Sequence, residues 1–248
     1  MRDYKVGVQL QPERTELDPL REAWRELDRR GVDSIWVPDH FFPVSPGDPD
    51  GENFECWSLL GAMASDTARA TIGPLVSCTS YRNPDLLADM ARSVSLLSHG
   101  RLVLGLGAGW NEREYLAYGY PFADAATRLR EFEDALARIR SRLTQLNPSA
   151  PGLRILIGGG GEKTTLRLVA ERADAWNTFG PADVFREKNK VLDTWCERVG
   201  RDPSEIERTV YLDVSEVDRV DEFLAAGADH VIVGLAAPFD LSVIDRLV

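Results

Sequence analysis

Short apolar runs alternate with helical patterns along the whole of this chain, eight of each, and that order constrains the fold more than any other feature. The apolar runs fall at residues 4–10, 33–37, 70–77, 102–106, 153–157, 174–177, 208–214 and 230–233. Helical spacing follows each of them, at 17–30, 54–67, 84–98, 128–146, 162–172, 181–199, 216–226 and 241–248. In the first helix Leu17, Leu20, Trp24 and Leu27 recur at one face, and Gly31 supplies the stop. Pro84 opens another helix that Gly100 ends, and Ser215 is a candidate N-cap. Strands and helices in strict alternation make parallel βαβ units, and eight of them select a closed (β/α)₈ TIM barrel over an open sheet. No linker divides the chain, so residues 1–248 read as one barrel domain.

Charge narrows the function. The net charge is -11 with no Lys/Arg-rich run, which argues against nucleic acid and anionic membranes as partners. No apolar run approaches the length needed to span a bilayer, and the first residues enter a strand without a signal-peptide pattern. Cys56, Cys78 and Cys196 stand far apart without metal-type spacing, so free thiols and a cytoplasmic location are expected. His40, His99 and His230 fall on different faces of such a barrel, which leaves no histidine metal cluster.

Barrel sites form where the strands end. His40 follows the second strand there, between Asp39 and the apolar Phe41 and Phe42, and suits acid/base work near neutral pH. As alternatives, Asp39 is a turn cap and His40 a hydrogen-bonded structural residue. His99 and His230 read as structural. The fourth strand ends in Gly105, Gly107 and Gly109, where missing side chains let a flat group approach the backbone. Trp110 stands where a dinucleotide fingerprint would need its third glycine, so that pattern is excluded. The third strand ends in a polar loop with Ser77 and Thr79 as potential donors. The run Gly158, Gly159, Gly160, Gly161 leads into Glu162 and a helix, a place for an anion to meet free N–H groups. Together these features suit a large planar, phosphate-bearing cofactor.

With those residues assembled, the chain resembles the luciferase-like monooxygenase superfamily, in its branch of oxidoreductases dependent on the deazaflavin coenzyme F420. The resemblance rests on DSIWVPDHFFP, on the long run from TIGPLVSCTSYRNP to GRLVLGLGAGWNEREYLAYGYPF, on ILIGGGGEKTTLRLVAERADAWN and on GADHVIV. It implies a TIM barrel that passes a hydride between F420 and a small organic substrate. His40 would be catalytic. Asp39, Leu75, Val76, Ser77, Thr79, Gly107, Ala108, Gly109, Asn111, Gly159, Gly160, Gly161, Glu162 and Thr165 would lie at the cofactor. Leu75 and Val76 match the family's bulge, a non-prolyl cis peptide that backs the ring. The alternatives are an FMN-dependent monooxygenase of the same superfamily and a cofactor-binding barrel without catalysis. The family's usual homodimer is expected too. Two departures stand out. Ala108 occupies a position where the family's sugar-phosphate dehydrogenases carry glutamate, and the segment between Leu143 and Leu153 is short, which predicts a more open mouth.

Overall fold

The computed structural model describes residues 2–248. Its nine strands are β1 (Lys5–Leu10), β2 (Ser34–Val37), β3 (Thr71–Pro74), β4 (Ser77–Cys78), β5 (Val103–Gly107), β6 (Arg154–Gly158), β7 (Ala175–Thr178), β8 (Glu207–Leu212) and β9 (His230–Leu235). They pair in parallel in the order β3-β2-β1-β9-β8-β7-β6-β5-β4. β3 and β4 are one position of the barrel, interrupted at Leu75 and Val76, whose peptide bond is cis. The Ile72 amide donates to the Arg101 carbonyl at 3.0 Å, so β3 also meets the start of β5 and the ring closes. The eight expected strands are therefore present, with the third broken in two.

The main helices are α1 (Leu17–Arg30), α2 (Cys56–Asp66), α3 (Pro84–Leu97), α4 (Glu112–Ala117), α5 (Ala125–Gln145), α6 (Thr165–Arg172), α7 (Ala182–Val199) and α8 (Val220–Leu224). Their ends follow local chemistry. Glu55 accepts the Trp57 and Ser58 amides to start α2, and Asn83 and Asp124 do the same for α3 and α5. Gly31 closes α1 at φ +86°.

Three boundaries differ from the sequence reading. The cap after β8 is Asp213, not Ser215: its carboxylate accepts from Ser215 while the Glu216 side chain accepts from the Asp213 amide. That capping box opens a 3-10 turn (Val214–Arg219) ahead of the short α8. The helix after β6 begins at Thr165 and not at Glu162, because glycines favour an irregular turn first. The C-terminal segment is a 3-10 turn (Leu241–Arg246).

Alternation along each strand splits the core in two. Val6, Val8, Ile35, Leu104, Ile155, Val210 and Val231 face the helices, in one layer that runs around the ring. Trp36, Leu75, Val103, Leu156, Ala175 and Ile232 fill the bore. Where the strands begin, His230 is buried between Ser34 and Glu207, each 2.8 Å away, and Lys5 and Arg154 pair with Glu207. The bore is thus plugged at its middle; at the strand starts these polar groups line a cavity of about 170 Å³, and the larger opening is the mouth at the strand ends. The shortened segment between Leu143 and Leu153 joins the end of α5 to the start of β6 and so lies at the opposite end of the barrel. It lines no part of the mouth, and its shortness does not open it.

Candidate active site

The mouth holds a cavity of about 730 Å³, a size suited to a cofactor or a drug-sized ligand. Its floor is built by the bulge between β3 and β4. A Cβ on Gly107 would stand 2.7 Å from Val76 Cγ2, and one on Gly158 would stand 3.0 Å from both Val76 methyl carbons. The glycines of β5 and β6 therefore make room for the protein's own valine. The result is a smooth apolar floor of Val76, Gly107, Ala108, Gly158 and Gly159. Gly109 turns the chain away at φ +75°, with Tyr115 and Cys78 packed where a side chain would sit.

His40 stands in the wall with its main chain anchored by Asn53 Nδ2, which donates to the His40 carbonyl at 2.6 Å. Its Nδ1 lies 2.9 Å from Oε2 and 3.1 Å from Oε1 of Glu114, a residue of α4 whose side chain is fully buried. Glu114 also accepts from the Tyr81 hydroxyl at 2.6 Å and from the Phe41 amide at 2.6 Å. Burial alone would raise the Glu114 carboxyl, but the bonds from His40, Tyr81 and Phe41 hold it below its ordinary value. An ionised Glu114 accepts a hydrogen bond from Nδ1–H, keeps the proton on Nδ1 and leaves Nε2 as the working nitrogen. Trp110 meets the imidazole edge-on at 5.6 Å between ring centroids.

Asp39 is buried and paired to Arg82 through two bonds of 2.5 and 2.9 Å, and Arg82 reaches Glu55 at 2.7 Å as well. Burial pushes the Asp39 carboxyl up, against the pull of the Arg82 guanidinium and the Ser77 hydroxyl. Its charge is therefore spent inside the protein.

Of the residues expected at the site, Asp39, His40, Leu75, Val76, Gly107, Ala108, Gly109, Gly159 and Thr165 line the cavity. Six do not: Ser77, Thr79, Asn111, Gly160, Gly161 and Glu162. Ser77 and Thr79 were expected to donate to a ligand, but their hydroxyls turn into the protein. Ser77 accepts from Trp57 Nε1 at 2.9 Å, and Thr79 donates to the Gly107 carbonyl at 3.4 Å. Asn111 precedes α4 without a side-chain cap bond. Gly160, Gly161 and Glu162 form the outer turn beyond the cavity. Among the described residues no protein group accepts from the amides of residues 160–165, and the first bond of the turn runs from the Leu166 amide to the Gly161 carbonyl.

Sequence reasoning missed Glu114, which supplies a carboxylate beside His40 although Ala108 carries none. It also missed Gln9 and Gln11. Strand alternation could have found those two, since both are polar residues facing the bore at the end of β1.

Comparisons with known proteins bear on the family and the fold. A family model described as luciferase-like monooxygenase matches residues 3–240. An uncharacterised protein of Mycobacterium tuberculosis is 28% identical over 244 residues, covering 86% of each chain. An F420-dependent glucose-6-phosphate dehydrogenase of Amycolatopsis mediterranei is 31% identical over 151 residues, 60% of this chain and 44% of that protein. In fold, a solved F420-dependent secondary alcohol dehydrogenase in complex with an F420-acetone adduct superposes with a TM-score of 0.88 at 15% identity, over 100% of this chain and 98% of that one.

Proposed function

The chain belongs to the luciferase-like monooxygenase family, and from that premise we propose that it is an F420-dependent oxidoreductase acting on a small organic substrate. The observation that carries this reading is the union, in one cleft, of a flat apolar floor and an imidazole oriented by a buried carboxylate. The residues present suit the coenzyme. Val76 and the glycines around it offer a planar ring an unobstructed face, and the free amides beyond Gly159 suit an anionic tail. When bound, F420 supplies a two-electron hydride acceptor or donor. Val76, Gly107 and Gly158 would hold one face of the ring, lying flat on the apolar floor. Glu114 holds the Nδ1 proton of His40. For a carbinol substrate, loss of hydride from carbon is matched by loss of the hydroxyl proton to Nε2, and a carbonyl forms. In the reverse direction the imidazolium returns that proton to the new hydroxyl.

The test is a fluorescence titration of the purified protein with F420 and, separately, with FMN. Tight F420 binding with weak FMN binding is the expected result, and the opposite preference would move the protein to the flavin branch. Binding of neither would overturn the reading. His40→Ala should keep F420 affinity and lose about 100-fold or more of turnover with reduced F420. Unchanged turnover would remove His40 from the chemistry.

A further inference from the structure

Two neighbours after β2, Asp39 and His40, are held by two neighbours after β4, Tyr81 and Arg82. Arg82 takes Asp39 directly, through bonds of 2.5 and 2.9 Å. Tyr81, at the end of a 3-10 turn (Thr79–Tyr81), reaches His40 by way of Glu114. The first grip fixes a charge in place, whereas the second bears on the proton that the chemistry uses.

Glu114 receives its donors unequally. Oε2, the oxygen nearer to Nδ1, accepts from the Tyr81 hydroxyl at 2.6 Å and from His40 at 2.9 Å, so both of its lone pairs are in use. Oε1 accepts from the Phe41 amide at 2.6 Å and, at 3.4 Å, from the Phe42 amide. The ion pair that Glu114 makes is with His40. Arg113, its neighbour on α4, turns away to Asp50 and the Pro49 carbonyl. Cys78 and Tyr115 lie beyond Tyr81, and burial pushes both of them up, so neither is charged near neutral pH. Burial, and then the Glu114 carboxylate, push the Tyr81 phenol up as well, so it keeps its hydrogen and donates throughout the working range.

The Tyr81 ring is a fixed mount for that hydroxyl. It is buried among Phe41, Tyr115 and Tyr120, at 4.7, 5.2 and 5.7 Å between ring centroids. The Tyr120 hydroxyl donates to the Tyr81 carbonyl at 2.8 Å. Phenylalanine would satisfy this packing equally well, so the hydroxyl is the part that needs a reason.

Proton exchange at His40 supplies one. When a carbinol gives its proton to Nε2, the ring becomes an imidazolium whose other proton points at Oε2. Passage of that proton to Glu114 would leave a neutral ring protonated at Nε2, which is no base for the next turnover. The passage would also turn Oε2 into a hydroxyl oxygen, a poorer acceptor, and weaken a Tyr81 bond that is charge-assisted only while Glu114 is ionised. We propose that Tyr81 is a positioning residue that holds Glu114 as a pure acceptor, so that the His40 imidazolium gives up its proton only at Nε2. The proposal rests on the reading of His40 as the proton-exchanging group.

The experiment is an NMR titration of coenzyme-free protein carrying carbon-13 at its glutamate carboxyl carbons, with the Glu114 resonance identified by its absence from Glu114→Gln. In the wild-type protein Glu114 should be more than half ionised at pH 4.5, its ordinary midpoint. Tyr81→Phe keeps the ring and should raise the midpoint by about one pH unit or more, the equivalent of one lost charge-assisted bond. Its turnover with reduced F420 should fall by about 10-fold, with KM and F420 affinity within about twofold of wild type. Tyr115→Phe removes a neighbouring buried hydroxyl that pairs with Cys78 Sγ at 3.2 Å and not with Glu114, and should leave the midpoint in place. A wild-type midpoint above 4.5 would overturn the proposal without any variant. So would an unmoved midpoint or undiminished turnover in Tyr81→Phe, or an equal rise in Tyr115→Phe, which would make loosened packing the cause. If the wild-type protein binds no F420, the proposed function fails instead, and the titration still decides whether Tyr81 governs Glu114.

Discussion

The imidazole of His40 reaches the cleft with Nδ1 already engaged, because Glu114 approaches it from a different segment, 74 residues further on. The consequence lies in which nitrogen carries the proton. A carboxylate can only accept, so the neutral ring keeps its proton on Nδ1 and offers a basic Nε2. In Glu114→Gln the side-chain NH₂ can donate to Nδ1 instead, which moves the ring proton to Nε2 and removes the base. Turnover should fall by about 100-fold or more with F420 affinity and KM little changed. The same substitution in a His40→Ala background should cost nothing further, since residues acting as one unit are not additive. Additive losses in that double-mutant cycle would show that Glu114 merely holds α4 in place. The motif NEREY announced a polar helix but gave no sign that one of its two glutamates would be wholly buried, because the partners that tolerate that burial come from Tyr81 and Phe41.

At the scale of elements, the bulge and the glycine strands are one device. The glycines of β5 and β6 were plain in the sequence as places of close approach; what approaches was not, since Val76 sits about 30 residues away from Gly107 and reaches it only through the fold. Their fit is tight enough to test. Gly107→Ala places a methyl group 2.7 Å from Val76 Cγ2 and should lower stability by about 1–3 kcal/mol, read as a fall in the urea midpoint. Adding Val76→Ala removes the clashing carbon and should restore much of that loss. Should the double variant be no better than the single one, the strain lies elsewhere. Strand positions themselves were legible because inward and outward residues alternate and glycines or caps end the helices. The turns after β6 and β8 were misjudged by a few residues, where glycine freedom and a short-range capping box compete with helix formation.

Across the whole molecule, acid sensitivity should follow a few carboxylates that tie distant elements together. Asp66, at the end of α2, accepts from Arg21 at two atoms, from Arg25 and from Trp24 Nε1, all on α1. Burial would raise its carboxyl, yet these donors, Arg21 first, hold it down to about 2. Glu207 at the floor of the bore is opposed by burial in the same way and is held well below the carboxylate range by His230, Lys5 and Arg154. A depressed carboxyl contributes stability in full above its unfolded value and loses it as the pH falls towards the folded one, here from about pH 4 to about pH 2 for Asp66. Asp66→Asn should therefore cost about 2 kcal/mol at pH 7 and progressively less at lower pH, measured by urea denaturation across that range. An equal loss at pH 7 and pH 2.5 would mean that packing, and not charge, is what the substitution removes. The frame that carries these ties also has a chord. Gln9 runs from β1 to the bulge past the end of β2, the strand that leads to His40, and bonds the very peptide that forms the floor. The wall and the floor of the cleft are thereby spaced by the framework itself and not by whatever enters. A cleft of fixed gauge sorts molecules by thickness before any of their polar groups has been read.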